Sequence, residues 1–347
     1  MNVLVLNGSP KGERSNTLRL TNAFCAGIAQ AVPCSVTTLP LCKMDIRDCT
    51  GCFGCWKATP VICHIHDDMA GILAQLRQAD CVIWSFPLYY FSLPSRLKAV
   101  MDRQLPLSLP YMEGGAPYGG HPSRYDRSAQ RYAAISTCGF YTPNGNYNAV
   151  DAQFSRMYGA DGYTPLYCGE GELFRVPALK SKTDAYLRTV QAAGREFADG
   201  GVSPSIRAKL AEPLYPRAAY EQMANAEWGD PCKQESPHAA PDAGEESLRF
   251  TKQMAALYKP SSWKGRDTIL EFYYTDIGRT YQLCLTREGQ TVGVGRRAPY
   301  TTRIETPLSV WKRIAAGELS GAQALLRRLY RVKGSLTPLL RWNSYFG

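Results

Sequence analysis

Between residues 2 and 198 short apolar runs alternate with segments of helical periodicity, and that alternation leaves few folds open. Residues 2–6 are an apolar run too short for a helix. Ser15-Asn16-Thr17 then opens a segment with Leu20, Phe24, Ile28 and Val32 at i, i+4 spacing, a helix with one apolar stripe. A second strand is predicted over 34–39. Asp67-Asp68 precedes Met69, Ile72, Leu73 and Leu76 on one helical face, and acidic residues suit the positive end of a helix. The run 81–86 is bounded by Pro87 and reads as a central strand. Ser92 is suited to cap the next helix, with Pro94 near its first turn and Leu97, Val100 and Met101 facing inward. Strands over 131–137 and 163–168 and helices over 147–158 and 182–198 complete five β-α pairs. This order implies an α/β fold, a doubly wound parallel five-stranded sheet with helices on both faces.

The chain has 347 residues, long enough for a second domain. Residues 201–244 contain Pro204, Pro213, Pro216, Pro231, Pro237 and Pro241 among small and polar residues, a linker with one short helix near 220–228. Beyond it, 247–257 looks helical. Leu270, Phe272 and Tyr274 alternate with polar neighbours, as do Tyr281, Leu283 and Leu285, so both segments read as half-buried strands. Val292 and Val294 continue a third strand, and a fourth is expected over 299–305. Thr306-Pro307 starts a helix carrying Leu308, Trp311 and Ile314, which Gly317 ends. Ser320 and Gln323 resemble a capping box for the next helix. Strands followed by helices predict a smaller antiparallel α+β domain over 245–347. The expected organisation is therefore 1–200, a linker over 201–244, and 245–347.

The net charge of +10 is unevenly placed. Residues 241–347 hold 17 Lys and Arg against 9 Asp and Glu, whereas the first 240 residues are nearly balanced. No Arg-rich run or nucleic-acid motif accompanies the excess, so nucleic acid is not an expected partner. A solvated basic face, or an anionic partner or membrane surface, fits it. No apolar run reaches membrane-span length, and the apolar N-terminal stretch is shorter than that of a signal peptide, so the expected compartment is cytoplasmic. In a reducing compartment the 12 cysteines are expected as buried thiols, for example Cys25, Cys34, Cys81, Cys168 and Cys284, or as a metal or catalytic cluster.

Gly8-Ser-Pro-Lys-Gly-Glu-Arg-Ser-Asn-Thr17 joins the first strand to the first helix. In a doubly wound sheet, ligands sit beyond the strand ends. Unpaired N–H groups and partial positive charge at a helix N-terminus suit a phosphate. Ser9, Ser15, Asn16 and Thr17 add donors, and Lys11 or Arg14 adds charge. An ordinary capped turn is the plainer alternative. The loop is neither a GxGxxG nor a Walker sequence. Pro87-Leu88-Tyr89-Tyr90 and Thr137-Cys138-Gly139 follow two further strands, offering aromatic faces and backbone N–H groups to a flat ring.

With these motifs, Cys49-Thr-Gly-Cys52-Phe-Gly-Cys55-Trp56 followed by Asp67-Asp68-Met69, and Leu97-Lys-Ala-Val-Met-Asp-Arg103, residues 1–200 resemble the NADPH-dependent FMN reductases and iron–sulfur flavoproteins of the flavodoxin-like superfamily. The resemblance implies that Ser9, Lys11, Ser15, Asn16 and Thr17 hold the FMN phosphate. It places Pro87, Leu88, Tyr89 and Tyr90 against the isoalloxazine and Thr137, Cys138 and Gly139 on its far side. It further implies hydride transfer from NAD(P)H through FMN to an acceptor, and a homo-oligomer. Backbone amides of 87–90 and 137–139 are expected to steady negative charge on the reduced ring.

Cys49, Cys52, Cys55 and Cys63 place four thiols within fifteen residues. A [4Fe–4S] cluster needs such a compact set. Zinc usually takes more widely spaced pairs, and metal-free redox or structural thiols are the third reading. Residues 245–347, through Thr302-Arg-Ile-Glu-Thr306, Trp311–Ser320 and Tyr330-Arg-Val-Lys-Gly334, resemble the sterol-carrier-protein-2-like family. That likeness implies a lipid or other apolar ligand near Phe272, Leu283 and Trp311; a dry core is the alternative. Two functions are carried forward. One is an NAD(P)H-dependent FMN oxidoreductase with a small-molecule or protein acceptor; the other is an electron carrier with an apolar-ligand domain.

Overall fold

The computed structural model describes residues 1–112, 114, 119–228 and 243–347. Packing divides the chain into two units, Met1–Leu173 with Asp184–Pro213, and Phe174–Thr183 with Leu214–Gly347.

In the first unit, β1 (Asn2–Asn7), β2 (Ser35–Pro40), β3 (Cys81–Pro87), β4 (Arg131–Thr137) and β5 (Thr164–Cys168) form one sheet of order β2-β1-β3-β4-β5. Every neighbouring pair is parallel. The central strands β1 and β3 are buried on both faces, which is why they read as continuous apolar runs. Leu4, Leu6, Val82, Trp84 and Phe86 share a core with Met69, Ile72, Leu97, Val100 and Phe154. These last lie on α3 (Met69–Gln78), α4 (Ser95–Asp102) and α5 (Asn148–Tyr158), which follow α1 (Asn16–Ala31) and the single turn α2 (Gly54–Lys57). On the opposite face Ser85 of β3 meets Thr21 of α1 through a 2.7 Å hydroxyl contact. α6 (Lys180–Ala198) crosses α1 so closely that Gly27 and Gly194 have no room for a Cβ.

Two local expectations change. Ser92 caps nothing: it exchanges backbone hydrogen bonds with Tyr89, and Pro94 occupies the cap position of α4 without a side-chain bond. The segment expected as a linker contains, besides the expected helix α8 (Arg217–Trp228), a further helix α7 (Pro204–Ala211). Ser203 caps α7, and Pro204 sits at its first turn, where a proline is tolerated. Pro231, Pro237 and Pro241 lie outside the described residues.

The second unit is a separate sheet-plus-helix domain. After α9 (Ala243–Ala255) come β6 (Thr268–Tyr274), β7 (Arg279–Leu285), β8 (Gln290–Val294), β9 (Thr302–Thr306), α10 (Leu308–Ala315), α11 (Gly321–Leu326), β10 (Arg331–Gly334), α12 (Thr337–Leu340) and α13 (Trp342–Phe346). The strand order is β10-β9-β6-β7-β8. It is not wholly antiparallel as expected: β9 pairs with β6 in parallel, because the chain leaves β8 and returns on the far side of β6. Phe272, Leu283 and Trp311 are buried together in its core, and the Phe272 and Trp311 rings meet edge to face at 5.3 Å. Buried Glu271 on the other sheet face accepts hydrogen bonds from Arg296, Arg303 and Gln282. Paired in this way, a carboxylate can sit out of water.

Candidate functional site

β1 ends at Asn7, whose side chain organises the following loop. Its Oδ1 accepts from the Ser9 amide at 3.1 Å, and Gly8 N donates to Ser85 O of β3 at 2.8 Å. A Cβ on Gly8 would lie 2.9 Å from Leu97 Cβ, so this close passage over α4 needs glycine. Gly12, at φ +56°, turns the chain into α1. Ser15 caps that helix, its Oγ accepting from Leu18 N at 3.3 Å. Asn16 and Thr17 then present first-turn amides that no carbonyl of the helix can reach.

The loops after β1, β3, β4 and β5 line one open cleft. The structure places Ser9, Lys11, Ser15, Asn16, Thr17, Pro87, Leu88, Tyr89, Thr137, Cys138 and Gly139 around it. Tyr90 is not among them. It stands fully in solvent at φ +50°, next to Phe91 at φ +64°. Two lining residues had no signal in the sequence, Gly171 and Glu172, which arrive from the turn after β5.

Side-chain bonds tie the walls together. The Thr17 and Thr137 hydroxyls share a hydrogen bond of 2.6 Å, and Asn16 Nδ2 donates to Gly171 O at 2.8 Å. Thr17 is therefore engaged with the opposite wall, and one Asn16 amide hydrogen is spent. Ser9 Oγ and Ser15 Oγ act as acceptors for Lys11 N and Leu18 N, which leaves both hydroxyl hydrogens able to donate into the cleft. Lys11 Nζ stands 3.5 Å from Glu172 Oε1 across the mouth.

The amides expected to face a ring are mostly engaged elsewhere. Leu88 N donates to Thr137 O, Tyr89 N to Ser92 O and Cys138 N to Cys168 O, at 2.9–3.0 Å. These bonds fix the loops to one another, and the same amides are then unavailable to a ligand. Burial pushes the Cys138 thiol up and that of Cys168 to about 12, so both remain protonated at neutral pH.

The cysteine-rich excursion places its four thiols in different surroundings. Cys49 and Cys52 are exposed, Cys55 is buried and Cys63 half-buried. Cys55 lies within the α2 turn, which Trp56 pins by donating from Nε1 to Leu105 O and Ser108 O. Cys52, outside that turn, faces His64 Nδ1 at 3.3 Å. The Gly54 amide holds the Cys52 thiol below the usual range, and burial raises that of Cys55. Among the described residues no three His, Cys, Asp or Glu side chains are grouped to hold a metal ion. Cys49, Cys52, Cys55 and Cys63 are thus not gathered as a set of ligands, although Cys55 lies near enough to the other three to feel their charge.

Residues 1–164 match the family model described as the flavodoxin-like fold. Among curated proteins, an iron–sulfur flavoprotein of Methanocaldococcus jannaschii is 30% identical over 109 residues, 31% of this chain and 54% of that protein. An FMN-dependent NADH:quinone oxidoreductase of Pseudoalteromonas atlantica is 30% identical over 113 residues, 29% of this chain and 54% of that protein. The chain thus spans about half the length of the curated relatives it matches. A solved FMN-dependent NADH-azoreductase from Bacillus anthracis aligns over 57% of this chain and 98% of its own, with 16% identity and a TM-score of 0.41. With its all-parallel β2-β1-β3-β4-β5 sheet and helices on both sides, the N-terminal part of this chain has the flavodoxin-like fold.

Proposed function

We propose that this chain binds FMN and passes reducing equivalents from NAD(P)H to an acceptor, as a flavin-dependent oxidoreductase. The observation that carries this reading is the chemistry of one cleft. One side has the free amides of a helix N-terminus, two donor hydroxyls and Lys11; another has Pro87, Leu88 and Tyr89. A phosphate dianion fits the first, and the flat face of a ring fits the second. The names of the relatives from M. jannaschii and P. atlantica support the same class of cofactor.

Bound FMN would supply the two-electron chemistry; the protein binds and orients it. Ser9 and Ser15 donate their hydroxyl hydrogens to the phosphate, and the Asn16 and Thr17 amides complete its cradle. The Thr17–Thr137 hydrogen bond sets the distance between the phosphate end and the far wall. Tyr89 and Leu88 cover one side of the ring, held in place by the amide bonds described above. A quinone is the acceptor class favoured by the name of the relative from P. atlantica. A [4Fe–4S] group on Cys49, Cys52, Cys55 and Cys63 is favoured by the name of the relative from M. jannaschii, and it would require the four thiols to draw together. Iron and sulfide analysis of protein isolated without oxygen decides it.

The primary test is the absorbance spectrum and an FMN titration of the purified chain, with NADH and NADPH oxidation measured using a quinone. Micromolar or tighter FMN binding is expected, and absence of binding overturns the proposal. Lys11 is half-exposed, so Lys11→Ala should weaken FMN binding only about 3–5-fold. Glu172→Gln should act in the opposite direction, because it removes a carboxylate from a phosphate site and releases Lys11.

A further inference from the structure

The second unit ends on a border with a composition unlike the rest of its surface. After Glu318 the chain has no acidic residue, and residues 319–347 carry Arg327, Arg328, Arg331, Lys333 and Arg341. β10 is the edge strand of the second sheet. The turn before it leaves Leu326 83% and Leu329 38% exposed; the turn after it leaves Leu336 51% and Leu340 86% exposed. Leu340 N donates to Leu336 O, so these two leucines stand one turn apart. Backbone bonds from Arg327 N to Gln323 O, Arg328 N to Leu325 O and Leu329 N to Ala324 O hold the preceding turn. The two turns bracket a strand only four residues long, a separation of about 13 Å.

The charges along this border differ in how they are used. Lys333 is paired with Glu305 at 2.8 Å, and Arg341 donates to Ser262 O. Arg327, Arg328 and Arg331 form no ion pair among the described residues. Three arginines without an ion pair and four exposed leucines therefore lie between Leu326 and Leu340, on either side of and within the edge strand. Four exposed leucines within so short a stretch are unusual on a surface that only meets water. Pairing of β10 with a second copy is opposed by the like charges it would bring together. An acidic protein would answer the arginines alone. An anionic bilayer answers both features, with phosphates for the guanidinium groups and the acyl boundary for the leucines.

We propose that the border from Leu326 to Leu340 docks the protein reversibly on an anionic lipid bilayer surface. The contact is peripheral, since no described helix is long and apolar enough to cross a membrane. It does not depend on the flavin reading.

The test is flotation of the full chain with vesicles of phosphatidylcholine, alone or with about one-third phosphatidylglycerol, at low and high salt. Binding is expected to the anionic vesicles at low salt, and at least about tenfold less to neutral vesicles or at high salt. Arg327→Gln with Arg328→Gln should weaken it about tenfold or more. Leu326→Asp with Leu340→Asp should abolish it; both side chains are exposed, so circular dichroism and thermal melting should match the parent. No binding to anionic vesicles, or unchanged binding by the leucine variant, overturns the proposal. So does a dimer in solution that the leucine variant dissociates, because the border would then belong to a second copy.

Discussion

Asp67→Ala should lower the unfolding free energy by about 3–5 kcal/mol at neutral pH, the usual cost of breaking a buried ion pair from one side. Arg103 and Asp67 are both withdrawn from water, with 1% and 0% of their side chains exposed. The contact is bidentate, Nη1 to Oδ2 at 2.8 Å and Nη2 to Oδ1 at 2.9 Å. Nη1 also donates to Arg47 O, and Asp67 accepts from the Arg47 and Met69 amides. The pair thus ties the two ends of the cysteine-rich excursion to the end of α4. Removing the carboxylate leaves the guanidinium buried with too few acceptors. Asp67→Ala with Arg103→Met should recover part of the loss, since no uncompensated charge remains.

The same pair sets a pH dependence whose sign is fixed. Burial alone would raise the Asp67 carboxyl; the Arg103 guanidinium and the Arg47 and Met69 amides overcome it and hold the group at about 2 instead of 3.8. A carboxyl with a depressed folded value stabilises the protein fully above its unfolded value and loses that contribution as pH falls through the folded one. The shift is equivalent to about 2 kcal/mol. The gap between parent and Asp67→Ala in urea unfolding should therefore be constant above about pH 5 and shrink between about pH 4 and pH 2. A gap below about 1 kcal/mol at pH 7, or one that widens with acid, would contradict this account.

Gly194→Ala should destabilise the first unit by at least about 2 kcal/mol, against the helix propensity scale. In an open helix this substitution gains about 1 kcal/mol. At Gly194, however, a Cβ would lie 2.0 Å from Phe24 O of α1, and at Gly27 one would lie 1.9 Å from Gln191 O. These obstacles are backbone, so only separation of α1 from α6 can relieve the clash. Overpacking of this kind costs about 1–3 kcal/mol or more. Gly71 provides the internal control. It lies exposed within α3, and a Cβ there would meet nothing within 4 Å, so Gly71→Ala should stabilise by about 1 kcal/mol. Thermal melting of the two variants should move in opposite directions. Equal shifts would show that the crossing yields more readily than its geometry implies.

The alternation over 2–198 carried the architecture of the first unit, because a strand buried on both faces and a helix with one apolar stripe are local patterns. Ser15 and Ser320 were legible as caps for the same reason: each bonds an amide three residues on, at Leu18 and Gln323. The loops over 7–17, 87–90 and 137–139 could be placed at strand ends from order alone. Gly171 and Glu172 could not, since an unremarkable Gly-Glu pair acquires meaning only when β5 lies beside β4. Nor could the sequence reveal that the amides of Leu88, Tyr89 and Cys138 are committed to neighbouring carbonyls.

What residue order determined by itself is periodicity, capping, the cysteine spacing and the uneven placement of charge, all properties of neighbours along the chain. Tertiary structure alone decided which walls meet across the cleft, why Gly194 has no space for a methyl group, that Arg103 answers Asp67, and that β9 runs parallel to β6. The physical reason is range. Local signals act over one turn or one pleat, whereas hydrogen bonds between loops and contacts between helices depend on where residues far apart in the chain are brought together.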